Sequence, residues 1–159
     1  MAIPNDHPGR PQVALPPAHE SRFWHVVLAG FVRSAPTPIM RRVRARDPNV
    51  PIDEFVIVGR RTGIERHDLL NHVQVAGHDY VGHPNGSSQW VRNLVAAGAL
   101  TMIDRAGTER RLAATEVPDG PERDAVIAWT GGMPRPAGTV YGAAAGHIRT
   151  AGRYFRLEG

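Results

Sequence analysis

The chain has 159 residues, no cysteine, and a formal net charge of +4 in which every Lys/Arg position is arginine. Without cysteine there is neither a disulfide framework nor a thiolate metal site, and the length suits one domain with its own core. No apolar stretch is long enough to cross a bilayer: Phe23 to Val32 covers half of the ~20 residues needed and is interrupted by His25 and Gly30.

Residues 1–20 are rich in proline from Pro4 to Pro17 and lack a basic-then-apolar leader. A disordered tail is expected there, followed by one domain over residues 21–159 that opens with a helical segment. Ser21 is placed to cap a helix through Phe23, Trp24, Val27, Leu28 and Phe31, which recur at helical spacing. Pro36 and Pro38 break it. A second short helix over Ile39–Arg46 ends before Pro48 and carries Arg41, Arg42, Arg44 and Arg46. That run reads either as a solvated face or as a contact for anionic membrane or an acidic cofactor tail.

Phe55 to Val58 is a continuous apolar run, as in a strand buried on both faces. Leu69–Val75 and Tyr80–Gly82 bracket Ala76-Gly77-His78-Asp79, a hairpin signal. Ser87 or Ser88 is an N-cap for a helix holding Trp90, Val91, Leu94 and Val95, closed by Gly98. Leu100–Ile103 and Arg110–Val117 flank the turn Asp104–Gly107. Pro121 opens a helix through Val126, Ile127 and Trp129, after which Gly131 to Gly138 reads as an unstructured loop. Tyr141–Ile148 fits a helical turn and Arg153–Leu157 a last strand. Short antiparallel strands with helices at the periphery, no repeats and no second hydrophobic core describe an α+β barrel-like domain.

The chemistry concentrates in two segments. Arg60 and Arg61 follow a buried strand in the turn Gly59-Arg60-Arg61-Thr62-Gly63, and guanidinium forks suit phosphate oxygens. Thr62 adds a hydroxyl and Gly63 an unobstructed N–H. Asn85, Gly86, Ser87 and Ser88 offer donors beside a helix start, where N–H groups lack intrahelical partners. Trp90 is placed to stack on a planar ligand or to anchor the core, and Asn93 to pin a neighbouring loop. His67, His72, His78 and His83 sit on strands and turns whose offsets point to opposite faces, so no metal site is expected. No nucleophile elbow and no Gly-x-Gly-x-x-Gly after a strand is present.

The order and spacing of these pieces resemble the deazaflavin (coenzyme F420)-dependent nitroreductase family of split β-barrel flavin/deazaflavin-binding proteins. The resemblance is carried by Gly59–Gly63, Arg66, the hairpin at Gly77-His78-Asp79, Gln89-Trp90-Val91-Arg92-Asn93-Leu94, the Leu100–Val117 pair, and the ending Gly152–Glu158. Arg61 stands where many members have lysine, and the loop before Trp90 is shorter and lacks lysine. The resemblance implies a split β-barrel of antiparallel strands with peripheral helices. It also implies an F420H2-dependent reductase that passes hydride to a quinone, nitroaromatic or activated alkene.

By the same resemblance Arg60, Arg61, Thr62, Gly63, Asn85, Gly86, Ser87, Ser88, Trp90 and Asn93 form the cofactor site. Tyr141, with Tyr80 as second choice, faces the substrate. Two rivals stand beside it. FMN, heme or a tetrapyrrole could occupy a related barrel, with FMN using the same arginines. Alternatively a non-enzymatic module could dock anionic lipid or nucleic acid through Arg41–Arg46, although the aromatics that specific nucleic-acid recognition needs are few. A small-molecule substrate, a homodimer, and a cytoplasmic location, at most peripheral to the inner face of the membrane, complete the expectations.

Overall fold

The computed structural model describes residues 18–33 and 37–159. Six strands close into an antiparallel barrel: β1 (Ile52–Val58), β2 (Glu65–Val75), β3 (His78–His83), β4 (Ala99–Ile103), β5 (Glu109–Glu116) and β6 (Arg153–Glu158), in the order β1-β2-β3-β6-β5-β4. Among the described residues six helices surround it: α1 (Ala18–Arg33), α2 (Thr37–Arg46), α3 (Gln89–Ala97), α4 (Pro121–Gly131), α5 (Ala137–Ala143) and α6 (Ala145–Ala151). This is the α+β split barrel. Residues 1–17, the expected tail, lie outside the described residues.

Local chemistry accounts for the joints. The β1–β2 turn closes with Gly59 N donating to Ile64 O at 2.9 Å and Gly63 N donating to Gly59 O at 2.8 Å. Gly63 has φ +66°, a left-handed conformation glycine adopts without steric cost. Ser88 Oγ accepts from Val91 N at 3.3 Å, and Gly98 ends α3 at φ +64° with its N–H on Leu94 O. Asp104 Oδ1 organises the β4–β5 turn by accepting from Ala106 N and Thr108 N.

The barrel interior holds Phe55, Ile57, Val81, Leu100, Met102, Leu112, Phe155 and Leu157, joined by Trp90, Val91 and Leu94 of α3. A second buried cluster, which the sequence does not announce, lies outside the barrel. It brings Val73, Tyr80 and Tyr154 together with Leu28 of α1, Val126 and Ile127 of α4, Tyr141 and Ile148. The neighbours Tyr80/Val81 and Tyr154/Phe155 therefore serve opposite clusters, as the two-residue period of a strand requires. β3 and β6 are buried on both faces, so one sheet supports both cores.

Other expectations need adjustment. α1 forms, but Phe23 turns out to solvent at 58% exposure while Leu28 is fully buried. β1 starts at Ile52 and β2 at Glu65, longer than apolar runs alone suggest. Residues 131–138 are not a free loop, because α4 ends at Gly131 and α5 starts at Ala137. The chain folds tightly there: a Cβ on Gly138 would lie 1.9 Å from Met133 O.

Candidate functional site

A cleft of about 590 Å³ opens beside the barrel, walled by Phe31 of α1, Met40 and Val43 of α2, Leu69 and Leu70 of β2, Trp90 of α3, and the Met133–Ala137 segment with Tyr141. Its surface is mainly apolar, with Asn71, His83 and Arg135 among its polar lining residues. Trp90 is 9% exposed, with its ring edge-on to His83 at 6.2 Å and to Phe155 at 6.5 Å. It is thus both core anchor and cleft wall.

The cationic turn lies next to the same helix. Arg60 N donates to Asn93 Oδ1 at 3.3 Å, and Arg60 Nη1 donates to Asn93 Oδ1 at 2.9 Å and to Gln89 Oε1 at 3.1 Å. Asn93, 5% exposed, pins the turn through both backbone and side chain. Arg61 is exposed. Gly63 N–H, expected to be free, is spent inside the turn, and Thr62 Oγ1 accepts from Ile64 N. Arg60, Gln89, Trp90 and Asn93 therefore form one connected set between turn and cleft.

The segment before α3 is mostly structural. Ser88 is the helix cap. Gly86, at φ +61°, has no room for a side chain, since a Cβ would sit 2.5 Å from Ala151 O. Asn85 is 6% exposed; its Nδ2 donates to His25 O at 3.0 Å and its Oδ1 meets His147 Nε2 at 2.9 Å. Ser87 is exposed.

The two tyrosines separate. Tyr141 lines the cleft at 8% exposure, edge-on to Phe31 at 5.9 Å. Burial pushes its hydroxyl pKa up, so it stays protonated as a donor. Tyr80 instead sits in the second cluster and donates to Glu122 Oε1 at 2.9 Å. Burial first, then Glu122, pushes its pKa up. The structure does not bring Tyr80 to the cleft.

Among the described residues no group of three or more His, Cys, Asp or Glu could hold a metal ion. His83, by residue type alone a candidate metal ligand, lines the cleft beside Trp90. Burial pushes its pKa down to about 4, with His25 adding repulsion, so it is neutral near pH 7.

The arginine run divides. Arg44 is drawn into the fold, donating to Ile52 O (3.0 Å), Ile103 O (2.9 Å) and Asp53 Oδ1 (3.3 Å). Arg105 grips the C-terminal end of α2 from the β4–β5 turn through the carbonyls of Arg44, Asp47 and Val50. Arg41 reaches Glu54 at 3.8 Å, while Arg42 and Arg46 face solvent. No helix among the described residues is long and apolar enough to cross a membrane.

No protein-family model and no curated protein matches the chain. Solved structures do. The chain is similar to HutZ, a heme storage protein of Vibrio cholerae, at 17% identity over 77% of this chain and 88% of that one, with a TM-score of 0.51. It is also matched to an F420-H2 dependent reductase (FDR-A) at 20% identity over 68% and 94% of the two chains, TM-score 0.47. At 17% identity the likeness to HutZ concerns the fold, a split β-barrel, and nothing finer.

Proposed function

We propose that the chain is a deazaflavin-dependent oxidoreductase, taking coenzyme F420 and reducing an electron-poor small molecule. The observation that carries this reading is the continuity of turn, helix and cleft: Trp90 walls the cleft, and Gln89 and Asn93 of the same helix hold Arg60. A planar ring system with an anionic tail matches that layout, apolar at one end and cationic at the other.

The residues present fit such a group. Arg60 and Arg61, with the N-terminal N–H groups of α3, hold the phosphate-bearing tail, and Trp90 packs against the ring system. When bound, the reduced deazaflavin supplies hydride; the protein supplies position, dryness and a proton source. Tyr141 is the proposed proton source on the substrate side. Quinones, nitroaromatics and activated alkenes are the acceptor classes.

The fold also houses a heme storage protein, but one contact disfavours heme ligation by the cleft histidine. His83 Nδ1 accepts from Asn85 N at 3.2 Å, which leaves the proton of the neutral ring on Nε2. A ligating histidine needs the reverse, one nitrogen donating outward so that the other is bare. A lipid- or nucleic-acid-docking role for the arginine run is weakened because Arg44 is already spent on β1 and β4.

Titration with oxidised F420 and with FMN, followed by tryptophan quenching, tests the proposal. F420 is expected to bind more tightly than FMN. Arg61→Ala, at an exposed site, should weaken binding about tenfold and leave thermal stability unchanged; adding Arg60→Ala should deepen the loss to about a hundredfold. Preference for FMN would retain the site and change the cofactor. Binding of neither would sink the oxidoreductase reading.

A further inference from the structure

Four polar groups from distant parts of the chain are linked in a chain of hydrogen bonds that ends at the cleft. Ser21 Oγ of α1 lies 3.2 Å from His147 Nδ1. His147 Nε2 lies 2.9 Å from Asn85 Oδ1, and Asn85 N lies 3.2 Å from His83 Nδ1. Each direction follows from the next. Asn85 gives its amide N–H to His25 O, so its Oδ1 must accept, and His147 Nε2 carries a proton. His147 is 2% exposed, and burial, reinforced by His25, lowers its pKa; the neutral ring then accepts from Ser21 at Nδ1.

The backbone N–H of Asn85 can only donate, so His83 Nδ1 accepts and Nε2 holds the proton. Among the described residues Nε2 has no protein partner, and His83 is a lining residue of the cleft whose ring packs against Trp90, another of its walls. Its orientation is held by Asn85, itself locked by His147 and α1. A neutral N–H donor on a fixed ring in an apolar wall discriminates strongly for acceptor oxygen, because an unmatched polar group there loses solvation.

We infer that His83 is the substrate-orienting donor of the cleft, its Nε2–H hydrogen-bonding to the carbonyl oxygen of a neutral aromatic or unsaturated acceptor. The inference rests on the cleft's being the substrate side of the proposed reductase. Nothing in the network requires the cofactor, so the two can fail separately.

The probes are 1,4-naphthoquinone and naphthalene, which share a bicyclic frame and differ in the carbonyls. The chain has neither the thiol nor the lysine amine that quinones commonly alkylate. Calorimetric titrations without cofactor compare wild type, His83→Phe and His83→Gln, whose amide nitrogen reaches close to the position of Nε2. Wild type is expected to prefer the quinone about tenfold, as one net hydrogen bond is worth. His83→Phe should bind both probes equally, and His83→Gln should recover part of the preference.

A preference that survives in His83→Phe, or is absent from wild type, overturns the inference. Ring-nitrogen NMR of wild type reads the same question independently of how the variants fold. Nε2 should carry the proton at pH 7 and shift with the quinone but not with naphthalene. An Nδ1–H tautomer, or no shift with the quinone, overturns it as well. Quinone preference without F420 binding would leave His83 its role and remove the deazaflavin reading instead.

Discussion

Phe155→Ala is expected to destabilise the protein by about 3–5 kcal/mol, the cost of an aromatic-sized cavity in a core that relaxes only partly. Phe155 is 2% exposed, pairs with Val81 across β3 and β6, and meets the edge of Trp90 at 6.5 Å. The deletion therefore opens a cavity in the barrel interior and removes the support behind a cleft wall. Denaturant unfolding should show a lower midpoint at nearly unchanged slope, since the surface exposed on unfolding barely alters. Phe23→Ala, at a residue 58% exposed, should stay within about 0.5 kcal/mol. Similar losses at both sites would show that the barrel interior is not a tightly packed core.

The second large effect concerns His72, held between two carboxylates. Its Nδ1 lies 2.8 Å from Asp53 Oδ2 and its Nε2 2.9 Å from Asp79 Oδ1. Arg44 also binds Asp53, Gln74 donates to Asp79, and Arg110 adds positive potential at Asp79. The Asp53 hydrogen bond, aided by Asp79, raises the His72 pKa above 6.5 against the opposing cost of burial. The His72 hydrogen bond is the largest influence on Asp53, whose carboxyl falls below 3.8. Burial pushes Asp79 up, but hydrogen bonds from Gln74 and His72 outweigh it and its pKa is lowered.

A base with a raised folded pKa adds stability in full below its unfolded value and loses it as pH rises through the folded value. The lowered carboxylates do the reverse, losing theirs as pH falls below about 4. The clamp is thus strongest between about pH 4 and 6.5. His83 and His147, whose pKa values are lowered, tilt the whole protein the other way over that range. The informative quantity is the difference between wild type and His72→Leu, in which those contributions cancel. It should be about 2–3 kcal/mol near pH 5.5 and shrink as pH is raised through 6.5 and beyond. A difference that stays constant with pH would mean that His72 is not charged in the folded protein.

What could be read from the sequence divides along physical lines. α3 was legible because its start and stop are written within one turn: Ser88 caps it and Gly98 ends it in the left-handed region. The β1–β2 and β4–β5 turns were legible for the same reason, each closed by contacts over two to five residues. The two cationic residues and Trp90 were singled out by residue type, and the structure places them along one helix and turn.

Long-range partners were not legible. Arg44 looks like any member of a charged helix until its bond to Ile103 O, 59 positions away, is seen. The start of β1 was hidden because Asp53 and Glu54 look like surface residues, yet Asp53 pairs with His72 and Glu54 with His67. In the sequence His83 looks like any of several histidines, since the bonds that give it direction run through Asn85 and His147 to Ser21, separated from His147 by 126 positions. The second core was missed because its apolar residues alternate along strands with those of the first.

Closure of the barrel limits how the protein can meet others. Every strand has hydrogen-bonded neighbours on both sides, including the β1–β4 pair that seals the ring. Pairing is staggered, so the flank left for a seventh strand is confined to Glu65–Asn71 of β2, which meet β1 alone, and Glu109–Leu112 of β5, which meet β4 alone. Away from those two stretches partners must read side chains on helices and turns, so association there should respond to point substitutions on those surfaces and be insensitive to β-strand mimics.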